Sequence, residues 1–191
     1  MDCNIQLIIN NSQYTKFLNM KLFFYQWLIL SVLLFSMTDF NETTTLEKAN
    51  AFGVTLEAST KSAKAGGQVC VDVVTRDFTD IVSMQYTMQW DRKVLKYKGV
   101  QAFGLPGMSK GNFGERLIEK GKLTFSWYDF NVRGVTVPSG SVLYQVCYDV
   151  IGEAGSKAFI SFTGYPTVIE VTDVRSNFLD LNGVTGKVTV K

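Results

Sequence analysis

Four carboxylates lie where an enzyme could use them: Asp91, Glu115, Glu119 and Asp129. Two carboxyls held roughly 5–10 Å apart would suit glycoside hydrolysis, one as acid and the other as base or nucleophile. Nothing in the sequence brings any two of them together. Asp91 and Asp129 close apolar runs, where aspartate commonly makes turns. The 191 residues contain no histidine, which excludes Ser-His-Asp and Cys-His systems and every His-ligated metal site. Asp173, Asn177, Asp180 and Asn182 carry the right oxygens for calcium. Their spacing matches no EF-hand loop and reads as a turn. No catalytic residue and no metal ligand is therefore assigned, and the chain is expected not to be an enzyme.

The surrounding chain is 46% hydrophobic and 13% aromatic, enough to build a core. Nineteen Lys+Arg against 17 Asp+Glu leave a net charge of +2. That is no basic field for nucleic acid, which is not an expected partner. Residues 22–37, LFFYQWLILSVLLFSM, hold no charge; Lys21 precedes them and Asp39 and Glu42 follow. This is the layout of a signal peptide or an uncleaved membrane anchor, and its shortness favours the signal peptide. Residues 20–37 are so assigned, 1–19 as an upstream extension carrying Cys3, and 38–51 as a polar linker. Contact with a membrane is expected only through that segment if it stays uncleaved. The protein is expected to be secreted or held at the cell surface.

The folded part, residues 52–191, alternates with period two. Val69-Val71-Val73, Met84-Tyr86-Met88-Trp90, Leu123-Phe125-Trp127, Val142-Tyr144-Val146-Tyr148-Val150 and Ala158-Ile160-Phe162 each take one parity, with mostly polar residues on the other. Turn signals separate the runs: Ala65-Gly66-Gly67, Leu105-Pro106-Gly107, Lys120-Gly121-Lys122, Pro138-Ser139-Gly140 and Asn182-Gly183. No segment keeps a helical period. About nine short strands without helices predict an all-β sandwich.

Several stretches, in order, resemble the cohesins, the receptor modules that capture dockerins in cellulosomes and related assemblies. They are Gly66-Gly67-Gln68-Val69-Cys70-Val71-Asp72-Val73; Met84-Gln85-Tyr86-Thr87-Met88-Gln89-Trp90-Asp91 with Val94-Leu95; Leu105-Pro106-Gly107-Met108; Gly121-Lys122-Leu123-Thr124-Phe125-Ser126-Trp127-Tyr128-Asp129; Gly140-Ser141-Val142-Leu143-Tyr144; and Gly186-Lys187-Val188-Thr189-Val190. Arg92 stands where the family often has proline.

The resemblance implies a nine-stranded jelly-roll sandwich whose eighth, third, sixth and fifth strands form the dockerin-receiving sheet. Here those strands are 157–163, 82–90, 122–129 and a segment near 115–119. Alternation then puts Ser83, Gln85, Thr87 and Gln89 of the third strand, and Thr124, Ser126 and Tyr128 of the sixth, on the open face. Short polar groups with one tyrosine suit a docking surface, the tyrosine acting as anchor at low entropic cost. The same topology makes the strands of Cys70 and Cys147 antiparallel neighbours in the other sheet, which implies a disulfide between them. The resemblance also implies that calcium belongs to the dockerin, with no cofactor in this chain.

The expected role is an exported, non-catalytic module binding a dockerin-bearing partner, with polysaccharide-degrading assemblies as its context. A carbohydrate-binding module and a surface adhesin remain alternatives, and polysaccharide remains an open second partner. Most strand aromatics fall on the core parity, with Tyr97 and Tyr128 as the main outward candidates, so the sugar platform is weak.

Overall fold

A computed structural model describes residues 53–191, and Lys48–Lys191 forms a compact unit by itself. The expected extension, signal segment and linker, with Cys3, lie outside the described residues. The chain runs through β1 (Val54–Ala58), β2 (Lys61–Ala63), β3 (Gln68–Arg76), β4 (Ile81–Gln89), β5 (Leu95–Gln101), β6 (Phe113–Gly114), β7 (Lys122–Tyr128), β8 (Ser141–Val150), β9 (Lys157–Thr163), β10 (Glu170–Asp173), β11 (Leu181–Val184) and β12 (Gly186–Val190). Two short 3-10 turns, Lys110–Asn112 and Glu115–Lys120, are the only helical pieces among the described residues.

The strands make an all-β sandwich. One sheet has the order β11-β1-β3-β8-β5. The other runs β2-β12-β9-β4-β7-β6, with β10 also on β4. Twelve strands replace the expected nine because three runs are each split. β1 and β2 lie in different sheets, as do β11 and β12, since the chain crosses from one sheet to the other between them. β9 and β10 share one edge of β4, with Thr163 opposite Thr87 and Glu170 opposite Gln85. The 164–169 loop is extruded between them.

Two sequence expectations need correction. Asn182-Gly183 is not a turn but lies inside β11, paired in parallel with Thr55 and Leu56 of β1. A Cβ on Gly183 would stand 3.0 Å from the Phe162 ring, so this glycine makes room for an aromatic. The segment near 115–119 is a 3-10 turn and not a strand. The fifth-strand position is taken by the two residues of β6, with Phe113 opposite Phe125 and Gly114 opposite Thr124. Gly121 ends that turn at φ 69°, and a Cβ there would collide with the Trp90 carbonyl. Both the left-handed backbone and the close approach demand glycine.

The core lies between the sheets and follows the predicted parity except at the start of β8, where a register shift against Val73 and Val74 leaves Val142 exposed and buries Leu143. Tyr86, Phe125, Phe113 and Tyr144 pack ring on ring at centroid distances of 4.9–5.4 Å. The Tyr86 and Tyr144 hydroxyls share a 2.6 Å hydrogen bond, and the Tyr144 hydroxyl also lies 3.1 Å from the Met88 sulfur. Burial pushes both phenols far above their ordinary pKa. Trp90 and Trp127 spend their indole N–H groups on the carbonyls of Leu95 and Pro106. The Tyr148 hydroxyl is buried without a partner.

Candidate docking face

The outer face of the β9-β4-β7-β6 sheet is best described as lateral rows, because residues directly opposite on neighbouring strands share a face. One row is Phe178, Thr172, Ser83 and Tyr128. Ser83 Oγ and Thr172 Oγ1 are 2.8 Å apart, between two exposed rings: Phe178 is 72% exposed and Tyr128 52%. Three strand spacings separate those rings, roughly 14 Å. Tyr128 also packs against the exposed Phe130 at 4.5 Å. The next row is Glu170, Gln85 and Ser126, and Asn112 donates to the Ser126 carbonyl at 2.9 Å. A third row is Thr163, Thr87, Thr124 and Gly114. The last is Ser161, Gln89 and Lys122.

Six of the seven predicted face residues therefore reach the outer side with some exposure. Thr87 does not, and its assignment is corrected: it is fully buried. The 164–169 loop lies over it, with Thr167 N donating to Thr87 Oγ1 at 3.2 Å and that hydroxyl bonding the Thr167 carbonyl at 3.4 Å. The loop continues toward β7, where Lys122 Nζ sits 4.5 Å from the Tyr165 ring centroid and donates to the Tyr165 carbonyl at 3.2 Å. It thus divides the face. On one side lie the hydroxyls and the Phe178, Tyr128 and Phe130 rings. On the other is a hollow of about 300 Å³ lined by Gln89, Lys122, Ser161 and Phe159 among others.

Several exposed residues on this sheet were not singled out from sequence. Phe159 had a usable signal, since it lies on the parity opposite to the core residues Ala158 and Ile160. Tyr165 and Phe178 belong to irregular segments, where alternation says nothing. Tyr97, expected outside, is half-buried on Trp90 and donates to Glu115 at 2.7 Å.

Three of the four carboxylates considered for catalysis, Asp91, Glu115 and Asp129, are occupied locally. Asp91 accepts from Lys93 N. Asp129 accepts from the backbone N–H groups of Asn131, Arg133 and Gly134. The Asn131 bond leads in holding its carboxyl below the usual range, against a desolvation effect that raises it. Asp173 binds Asn177 and Arg175 N in a turn, and the Asn177 side-chain amide leads in lowering it. Among the described residues no group of three carboxylates or cysteines could hold a metal.

On the opposite sheet the polar side chains are largely paired. Cys70 and Cys147 face each other across β3 and β8, their Cα atoms 4.0 Å apart, and form a disulfide. Beside it Gln101 donates to Gln145, Gln145 to Asp72, and Lys61 pairs with Asp72 at 2.7 Å. Burial alone would raise the Asp72 carboxyl, yet Lys61 and Gln145 together hold it below the usual range.

Residues 54–190 match the family described as Cohesin domain. The chain belongs to the cohesin family. It is a non-catalytic module. Comparison with curated proteins finds no match. Solved structures similar to this cohesin include a type I cohesin–dockerin complex from Clostridium thermocellum, at 16% identity, TM-score 0.62, covering 73% of this chain and 99% of that one. Another is the sixth cohesin of scaffoldin B from Acetivibrio cellulolyticus with a Cel5 dockerin, at 21% identity and TM-score 0.58, covering 73% and 99%. A third is a non-cellulosomal cohesin from the archaeon Archaeoglobus fulgidus, at 17% identity and TM-score 0.57, covering 73% and 91%.

Proposed function

We propose that this cohesin receives a dockerin-bearing protein on the outer face of its β9-β4-β7-β6 sheet. The observation that carries the reading is the state of that face. Rings of Tyr128, Phe130, Phe159 and Phe178 stand exposed beside side chains of Ser83, Gln85, Thr124 and Ser126. Buried against a partner, the rings would supply anchoring area and the polar groups would fix register. The sheet is built before docking, so binding is largely rigid. Calcium sits on the dockerin in this reading, and none is required by the cohesin. An exported location and a role in tethering polysaccharide-degrading enzymes complete the proposal, by family analogy.

The test is retention on immobilised residues 48–191 of the source organism's extracellular proteins, with calcium and with EDTA. A calcium-dependent catch carrying paired dockerin loops, weakened by Gln85→Ala and Tyr128→Ala, is the expected result. Retention of soluble glycan or of a calcium-indifferent protein by the folded bait would sink it in favour of a sugar-binding or adhesive module.

A further inference from the structure

Positive charge outnumbers negative charge at one end of the docking face. Lys120, Lys122 and Lys157 line the hollow beside Phe159. Lys187 of β12 lies opposite Phe159 on the same face. The ion pairs among the described residues use Lys61, Arg76 and Lys98, and none uses these four lysines. Lys122 turns instead to the Tyr165 carbonyl and ring. Asp91, which accepts from Lys93 N, is the one carboxylate in the lining, so three lysines there face a single negative charge. Phe159, 60% exposed, gives this charged hollow an apolar wall.

We propose that the hollow anchors an acidic segment of the docking partner, one or two Asp or Glu side chains entering among Lys120, Lys122 and Lys157 while an apolar neighbour covers Phe159. The proposal rests on the docking reading and adds the chemistry of the partner. One exposed ion pair contributes little. Three lysines lining one concave spot contribute more together, and they steer the encounter as well. A neutral sugar would leave all of them unanswered. A nucleic acid would need a longer basic track than these lysines and a chain of net charge +2 provide.

Two arms test this. In the first, ¹⁵N-labelled residues 48–191 are titrated at low salt with a synthetic peptide, Glu-Phe-Glu-Gly repeated twice and blocked at both ends, and with its glutamine counterpart. Amide shifts centred on Gln89, Lys122, Phe159 and Ser161 are expected, with about fivefold or greater preference for the glutamate peptide, as two or three exposed pairs imply. Lys120→Gln with Lys157→Gln should abolish that preference, and the two Lys→Arg changes should keep it. Trigalacturonate shifting the same amides at lower concentration than the peptide would make this an acidic-sugar site and overturn the proposal.

In the second arm, the same Gln double variant is tested against the dockerin retained in calcium. Association should slow about tenfold, with most of the loss removed by added salt. An unchanged rate, with no amide shifts from the peptide, overturns the proposal and leaves the docking reading intact. Peptide binding at the hollow without any dockerin being retained sinks the docking reading alone and upholds the preference for an acidic segment.

Discussion

The two outer faces of the sandwich come from the same kind of alternating strand, yet they end in opposite states. On the five-stranded sheet the polar groups are answered: Gln101, Gln145 and Asp72 form a continuous chain that Lys61 of β2 completes from the edge of the other sheet, Arg76 pairs with Glu57, Lys98 pairs with Asp149, and a disulfide ties β3 to β8. On the β9-β4-β7-β6 sheet no ion pair joins two strands among the described residues, and exposed rings stand among hydroxyls and lysines. Alternation decides which residues point outward. Whether those residues are satisfied inside the chain decides which face is a finished surface and which is a binding surface.

The contrast can be broken from the closed side first. Replacing Cys70 and Cys147 with serine opens a loop of 77 residues and should cost about 4 kcal/mol in the chain-entropy model. Denaturation midpoints would show the loss, while dockerin affinity below the transition should stay within twofold. A large affinity change would mean that the two faces are coupled.

The reverse experiment is Tyr128→Ala. It should lower affinity for the retained dockerin about tenfold or more, with unfolding unchanged because the ring is half exposed. Equal affinity, measured by calorimetry, would remove Tyr128 from the binding surface. Acid sharpens the comparison further. Because the folded Asp72 carboxyl lies below its unfolded value, its contribution is present above about pH 4 and is lost as pH falls through the lowered pKa. Asp72→Asn should flatten that part of the acid-unfolding profile. The smallest effect belongs to neither face. Tyr148→Phe removes the orphaned hydroxyl from the core and should be neutral or stabilising by up to ~1 kcal/mol, read as a rise in Tm.

Much of this was legible in the sequence. The parity of Met84-Tyr86-Met88 and of Leu123-Phe125-Trp127 marks the core side of β4 and β7, because a strand buried on one face has only one tolerable register. The cysteine pairing followed once the family topology set β3 beside β8. Thr87 was misplaced because its cover is a loop inserted between β9 and β10, and local alternation does not register what folds over a strand from elsewhere. Asn182-Gly183 carries a strong turn signature, overridden here by pairing with β1 and by the space Phe162 needs. The lysine hollow draws Lys120 from the end of a 3-10 turn, Lys122 from the start of β7 and Lys157 from the start of β9, a juxtaposition that only the fold creates.

The closure of the sandwich also determines how it would bear a mechanical load. β1 runs parallel to β11, starting with Val54 beside Leu181, and β2 runs parallel to β12, ending with Ala63 beside Val190. A pull applied between Gly53 and Lys191 therefore drags the two strands of each ribbon past each other along their length. Their hydrogen bonds are loaded together in shear and do not unzip one at a time. After such a ribbon yields, the Cys70–Cys147 bond still withholds its 77-residue loop from extension, roughly 260 Å of contour that only reduction would release.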